Sequence, residues 1–213
     1  MKLIKPSVEI LTAIDTQDVY KTIEKVARTC YKSEDKITNT SAERMVKTLI
    51  KSGHEAMIEF FDITVKFVTD RGVSHEIVRH RVASYAQEST RYCNYTGEKF
   101  GSELTFIRPT WYDKTSFNTH GGFEKHLENT EQLYFALLDQ GYSPQDARQI
   151  LPNALKTEIN VKMNLREWRH FFNLRCHHTA HPDIQVLAKD LLTQMYDKLP
   201  VIFEDLYLKY IGK

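Results

Sequence analysis

No apolar run in this sequence approaches the roughly 20 residues that a bilayer-crossing helix needs. The opening MKLIKPSVEIL has no long apolar core followed by a small-residue cleavage site, so no secretory leader is expected. Cysteine is scarce. Cys30, Cys93 and Cys176 are odd in number and far apart, which argues against a disulfide framework. Net charge is also nearly lacking. Lys+Arg 29 against Asp+Glu 28 leaves a formal charge of +1, too little for the chain-wide basic footprint of a non-specific nucleic-acid binder. There is no GxGxxG or Walker-type loop to hold phosphate by backbone amides. No internal repeat, low-complexity stretch or Pro/Gly/Ser-rich linker divides the chain. These absences together lead to the expectation of a single cytoplasmic domain over residues 1–213.

What is present is a mixture of strand-like and helix-like segments. VEILTAI near the start and FFDITVKFVTD further on are β-rich, and ELTFIRP and LKTEINVKM are further strands. Residues 15–33 place Val19, Ile23 and Val26 at helical spacing. A second helix is expected over 41–52, with Ser41 as N-cap and Gly53 at its end. VSHEIVRHR reads as a short helix that delivers the next segment into a loop. WYDKTSFNTHGG, 111–122, reads as a mobile connection before a long helix over 123–140. Ser143 and Pro144 begin a short helix that Pro152 closes. Asn164 and Glu167 form a capping-box pattern ahead of REWRHFFNLR. Pro182 to Leu199 carries Ile184, Leu187, Ala188, Leu191 and Met195 on one face. The fold class expected is α+β (mixed α/β), with a small, largely antiparallel central sheet surrounded by helices, and not a Rossmann fold.

The chemistry concentrates in arginine. Arg79, His80, Arg81 and Arg91 form one cluster, interleaved with Ser84, Ser89 and Thr90. Arg148 sits on the short capped helix, and Arg166, Arg169 and Arg175 lie on or beside NLREWRHFFNLR. A guanidinium makes paired hydrogen bonds to phosphate, carboxylate or a heterocycle edge, so a nearly neutral chain can build a local anion site this way. The bland reading of a single surface arginine is a solvated side chain, and Arg169 fits it. Trp168, Phe171 and Phe172 read as core. In RCHHTAH, Cys176, His177, His178 and His181 offer zinc ligands, but neighbouring histidines seldom converge on one ion and no matching pair lies elsewhere. Cys93 and Cys176 lie near arginines that would lower a thiol pKa, yet neither has a nucleophile's surroundings. A nucleic-acid-binding module using RYCNY, or a zinc-dependent enzyme, are the alternatives.

Arg79-His80-Arg81 followed after seven residues by Ser89 resembles the signature of the flavin-dependent thymidylate synthases, the ThyX family. GHE at 53–55, ARQILP at 147–152, and NLREWRHFFNLR with AHPDIQ resemble further family landmarks, in order. The resemblance implies a methyltransferase that makes dTMP from dUMP. Methylenetetrahydrofolate would supply the carbon and NADPH would reduce bound FAD. Hydride would pass from reduced flavin to the uracil ring, without an enzyme thiolate and with no metal. It implies a homotetramer with shared active sites. For dUMP it implies Glu76, Arg79, Gln87, Glu88, Ser89, Thr90, Arg91, Arg148 and Arg175, with Arg175 the catalytic group at the uracil edge. For FAD it implies His54, Ala56, Arg79, His80, Arg81, Gln87, Asn164, Arg166 and His170. The chain departs from the pattern at several points. Ala86-Gln87 stands where many relatives have Asn-Glu, Glu76 where some have glutamine, Ala56 where a hydroxyl is common, and His170 where some have an amide.

Overall fold

A computed structural model describes residues 1–93, 95, 97 and 101–212, so Asn94 of the RYCNY stretch lies outside the described residues. The strands are β1 Lys2–Ile4, β2 Ser7–Ile10, β3 Asp62–Asp70, β4 Ser84–Gln87, β5 Thr105–Ile107 and β6 Lys156–Asn164. The α-helices are α1 Thr16–Thr29, α2 Ser41–Lys51, α3 Arg71–Ile77, α4 Phe117–Asp139, α5 Pro144–Ala147, α6 Leu165–Arg175, α7 Pro182–Lys198 and α8 Pro200–Tyr210. The class is mixed α/β with a small antiparallel sheet, as expected. Its order is β2-β3-β6-β4, while β1 and β5 form a separate parallel pair with Leu3 opposite Phe106. Among the described residues no helix is long and apolar enough to cross a membrane.

The chain divides into two compact units. The first comprises residues 1–7, 67–79 and 86–159, and the second 8–66, 80–85 and 160–213. The first unit is built around the β1–β5 pair and α4. Leu104, Phe106, Leu127, Tyr134 and Leu155 are buried together there. Trp111 remains 40% exposed and meets Phe123 edge-on with ring centroids 5.2 Å apart.

The second unit gathers α1, α2, α6, α7 and α8. Val19, Ile23 and Ala27 of α1 share the buried face of an amphipathic helix, and Asp15 caps it by accepting from the amide of Asp18 at 2.9 Å. On α6, Trp168, Phe171 and Phe172 are fully buried, as read from sequence. The indole of Trp168 donates to the Ile63 carbonyl at 3.1 Å, which satisfies its one polar atom inside the core. All five apolar positions predicted on α7 are buried.

Several local expectations are corrected. Ser41 is not the N-cap of α2; Thr40 holds that position without a side-chain cap. The Ser41 hydroxyl donates instead to buried Glu24 at 2.9 Å, because a buried carboxylate needs a donor more than an exposed helix end does. The segment read as a mobile connection is partly helical. It holds a 3₁₀ turn at Tyr112–Lys114, and α4 starts at Phe117 despite Gly121 and Gly122. The segment after α3 is a strand in part, β4, and not only a loop. Beyond Leu199, where the last predicted helix ends, α8 follows at once. Pro200 cannot continue α7 but fits the first turn of a new helix.

Candidate active site

Within the second unit, α6 delivers the richest cluster of sequence-predicted residues. Asn164 caps the helix by accepting from the amide of Glu167 at 2.9 Å, one half of the capping box read from sequence; the Glu167 carboxylate faces His80 instead of closing the other half. One turn later Arg166 and His170 are exposed. Asn164, Arg166, Glu167 and His170 line a cleft of about 480 Å³ together with Glu59 and Val82. Arg166 pairs with Glu59 at 2.6 Å across its exposed side. Arg175, half-buried, ends the helix.

His80 sits behind this cleft. Its side chain is 2% exposed and its ring packs on Phe171, with centroids 4.9 Å apart. Two polar partners flank the imidazole. Arg175 donates from Nε to His80 Nε2 at 3.2 Å, and His80 Nδ1 lies 3.2 Å from Glu167 Oε1. Burial pushes the His80 pKa down to about 4, helped by the charges of Arg175 and His170, so the ring is neutral at pH 7. Burial likewise raises the Glu167 carboxyl above its ordinary value, against the influence of His170. The hydroxyl of Tyr85 donates to the His80 carbonyl and pins the backbone.

Ligand atoms of His80, Glu167 and His170 lie within 4.8 Å of one another, a spacing a metal could use. A cation on His80 Nδ1 would force the proton onto Nε2, which then could not accept from Arg175. The guanidinium contact and coordination through Nδ1 are mutually exclusive. In RCHHTAH, the rings of His177 and His178 lie against each other with centroids 4.1 Å apart, while Cys176 is buried. The expectation of a lowered thiol pKa at Cys176 is overturned. Burial pushes it up to about 12, against the opposing charge of Lys189.

In the first unit, Thr90 and Arg148 line a second cleft, of about 270 Å³, with Arg71, His75, Gln149 and Asn153. Thr90 is buried and Arg148 exposed. Sequence reasoning had no reason to single out Arg71 or His75, whose place in this cleft depends on α3. Arg91 is exposed and lies over the Tyr92 ring, 5.1 Å from its centroid. Ser89 Oγ accepts from the Arg91 amide at 3.3 Å and shapes that turn. Arg79 and Arg81 are exposed, and the Arg79 amide donates to the carbonyl of half-buried Glu76.

Two predicted residues are turned inward. The Gln87 amide donates to Ser74 at 2.9 Å and Thr157 at 3.1 Å. The Glu88 carboxylate accepts from Lys156 at 3.0 Å and from the Tyr95 hydroxyl at 3.1 Å. His54 and Ala56, both exposed, line a third groove, of about 670 Å³, formed by α1, α2 and the turn after them, well supplied with apolar side chains. Gly53, at φ +69°, is what lets the chain turn from α2 towards this groove.

Arg169 overturns its bland reading. It is buried, donates from Nε to Glu55 at 2.8 Å, and makes a bidentate pair with Asp205 at 2.7 Å on each arm. A further N–H goes to the Ile202 carbonyl. It fastens α6 to α8 and leaves the anion-site tally.

The sequence matches the family described as thymidylate synthase complementing protein over residues 12–201. The flavin-dependent thymidylate synthase of Geobacter sulfurreducens is 34% identical over 197 residues, covering 89% of this chain and 83% of its own. That of Pyrococcus furiosus is 35% identical over 164 residues, covering 76% of this chain and 66% of its own. Among solved structures, the UMP/dUMP methylase PolB from Streptomyces cacaoi, bound with 5-Br dUMP, superposes with a TM-score of 0.77 at 23% identity. It covers 100% of this chain and 99% of PolB, and shares the fold. A family match across most of the chain and relatives above 30% identity lead to one conclusion: this chain belongs to the flavin-dependent thymidylate synthases and is an enzyme of the methyltransferase kind.

Proposed function

We propose that the enzyme makes dTMP from dUMP in the cytoplasm, with methylenetetrahydrofolate as carbon donor and NADPH as reductant of bound FAD. The whole chain, 1–213, acts as one catalytic domain, and four chains form a homotetramer whose neighbours complete each other's sites. The observation that carries this reading is α6. One helix presents Asn164, Arg166 and His170 to a cleft and ends in an arginine held by a buried, neutral histidine.

The donor set fits a flavin. FAD brings a pyrophosphate and a planar ring with hydrogen-bonding edges. Arg166 and Arg81 are exposed guanidiniums for the anion, and the Asn164 amide nitrogen and the exposed His170 imidazole offer hydrogen bonds to the ring. Arg79, His80, Gln87, His54 and Ala56 complete the assignment. Ala56 can contribute backbone only, His80 acts from behind the cleft, and Gln87 would have to leave Ser74 and Thr157. The chemistry a bound flavin supplies is hydride, taken from the nicotinamide and delivered to the uracil ring.

The protein's part is position and charge. Arg175 donates to the uracil edge and stabilises negative charge as it develops on the ring. Arg148, Arg91 and Arg79, with the hydroxyls of Ser89 and Thr90, hold the phosphate. Glu76 accepts from the ribose or the ring N–H. Glu88 would have to leave Lys156 and Tyr95 to reach the nucleotide. A thiol held near 12 supplies no thiolate at pH 7, which supports a route that leaves Cys176 idle. The test is dTMP formation from dUMP with and without added FAD. Product that needs FAD and disappears in Arg175→Ala is expected; product formed equally by a flavin-free protein would overturn the reading.

A further inference from the structure

The Arg175 guanidinium has donors only, so the His80 Nε2 it meets at 3.2 Å must carry a lone pair. A neutral imidazole then bears its proton on Nδ1, the atom 3.2 Å from Glu167 Oε1. The direction of the whole chain is therefore fixed: His80 Nδ1–H donates to Glu167, and Arg175 Nε–H donates to His80. The opposite tautomer would set two N–H groups head to head and leave the carboxylate facing a lone pair. An acceptor on the Nδ1 side selects the same arrangement that the Arg175 donor requires, and that acceptor comes from α6 itself, eight positions before Arg175.

We propose that Glu167 is a positioning residue: by accepting the Nδ1–H of His80 it locks the imidazole in the tautomer that anchors Arg175 through Nε, and so fixes the plane of the guanidinium. The consequence for uracil chemistry rests on the role of Arg175 argued above; the tautomer link does not. Burial strengthens the arrangement. His80 is 2% and Glu167 13% exposed at the side chain, so water does not readily replace either partner. The ring also packs on Phe171, with centroids 4.9 Å apart.

The experiment combines ring-nitrogen NMR with kinetics. In ¹⁵N-histidine-labelled protein at pH 7, the His80 signal, assigned by its loss in His80→Gln, is expected to show protonated Nδ1 and bare Nε2. Glu167→Leu removes the acceptor. It is expected to shift the ring towards the Nε2–H tautomer and to lower kcat by roughly 10²-fold at saturating FAD, while dUMP affinity changes little. Glu167→Gln keeps a carbonyl acceptor and is expected to preserve both tautomer and kcat. A wild-type ring protonated on Nε2 would overturn the proposal. So would a Glu167→Leu enzyme with unchanged kcat, provided Arg175→Ala is inactive. Turnover surviving in Arg175→Ala would instead overturn the role of the arginine, with the NMR result still deciding the tautomer. Should Glu167→Leu fail to fold, the wild-type spectrum and Glu167→Gln decide.

Discussion

Arg169 of α6 and Asp205 of α8 are joined by two parallel hydrogen bonds of 2.7 Å. Burial works against the charge on Asp205, yet the guanidinium holds its carboxyl below the ordinary range. The pair contrasts with Lys162 and Asp62, also only 2.8 Å apart but about half exposed on both sides. Arg169→Ala strands Glu55 and the Ile202 carbonyl as well as Asp205. Asp205 keeps partial access to water, so the cost falls below that of a sealed pair, at about 2–3 kcal/mol. Lys162→Ala is expected to cost under about 1 kcal/mol. Urea denaturation of both variants checks the contrast; equal losses would contradict it.

The buried histidine makes stability depend on acid. The unfolded chain protonates His80 near 6.5 and the folded chain only near 4. Across that window the unfolded state binds the extra proton, so stability falls as pH drops from about 6.5 to about 4 and this contribution levels off below. For His80 alone the loss is roughly 3 kcal/mol. Denaturation at pH 7.5 and 4.5 is expected to show a smaller pH difference in His80→Gln than in wild type. An identical difference would show that the ring does not carry this linkage.

Arg175→Ala is expected to reduce turnover by on the order of 10²–10³, the usual loss when one preorganised donor at developing charge is removed. Arg175→Lys is expected to rescue little, since an ammonium cannot anchor to His80 and keep a planar fork for the substrate. Steady-state kcat with thermal unfolding as the folding control is the measurement. A lysine variant near wild type would mean that charge alone suffices.

Cys93→Ser and Cys176→Ser are expected to keep most dTMP formation. The second also places a hydroxyl in an apolar site and should lose about 1 kcal/mol of stability or more. Mass spectrometry after brief iodoacetamide treatment should find label on exposed Cys30 and not on Cys176. Both serine variants proving folded, flavin-loaded and inactive would refute the thiol-free scheme.

What could be read from sequence was mostly local. Ser143 and Asn164 each cap the helix expected of them, because a cap acts within three residues of its own position. The apolar faces of α1 and α7 follow from period alone. What was hidden involves partners distant in the chain. Arg169 looked solvated because Glu55 lies 114 residues away and Asp205 lies 36 away. Glu167 was visible as a capping-box residue, but its side chain serves a histidine 87 positions earlier. Ser41 fitted an N-cap pattern and was drawn off by Glu24, itself buried by packing that spacing does not reveal. The inward turn of Gln87 and Glu88 depends on Ser74, Thr157 and Lys156, none of them in the motif.

The tryptophans number two, one in each compact unit. Trp168 is sealed and hydrogen-bonded, whereas Trp111 is 40% open to water. Their emission should therefore differ in colour, blue from the sealed indole and red from the open one. The chain thus carries its own pair of optical reporters. A shift in the blue component during heating would time the loosening of α6, and quenching of the red component by iodide would time events near α4, without any dye or added label.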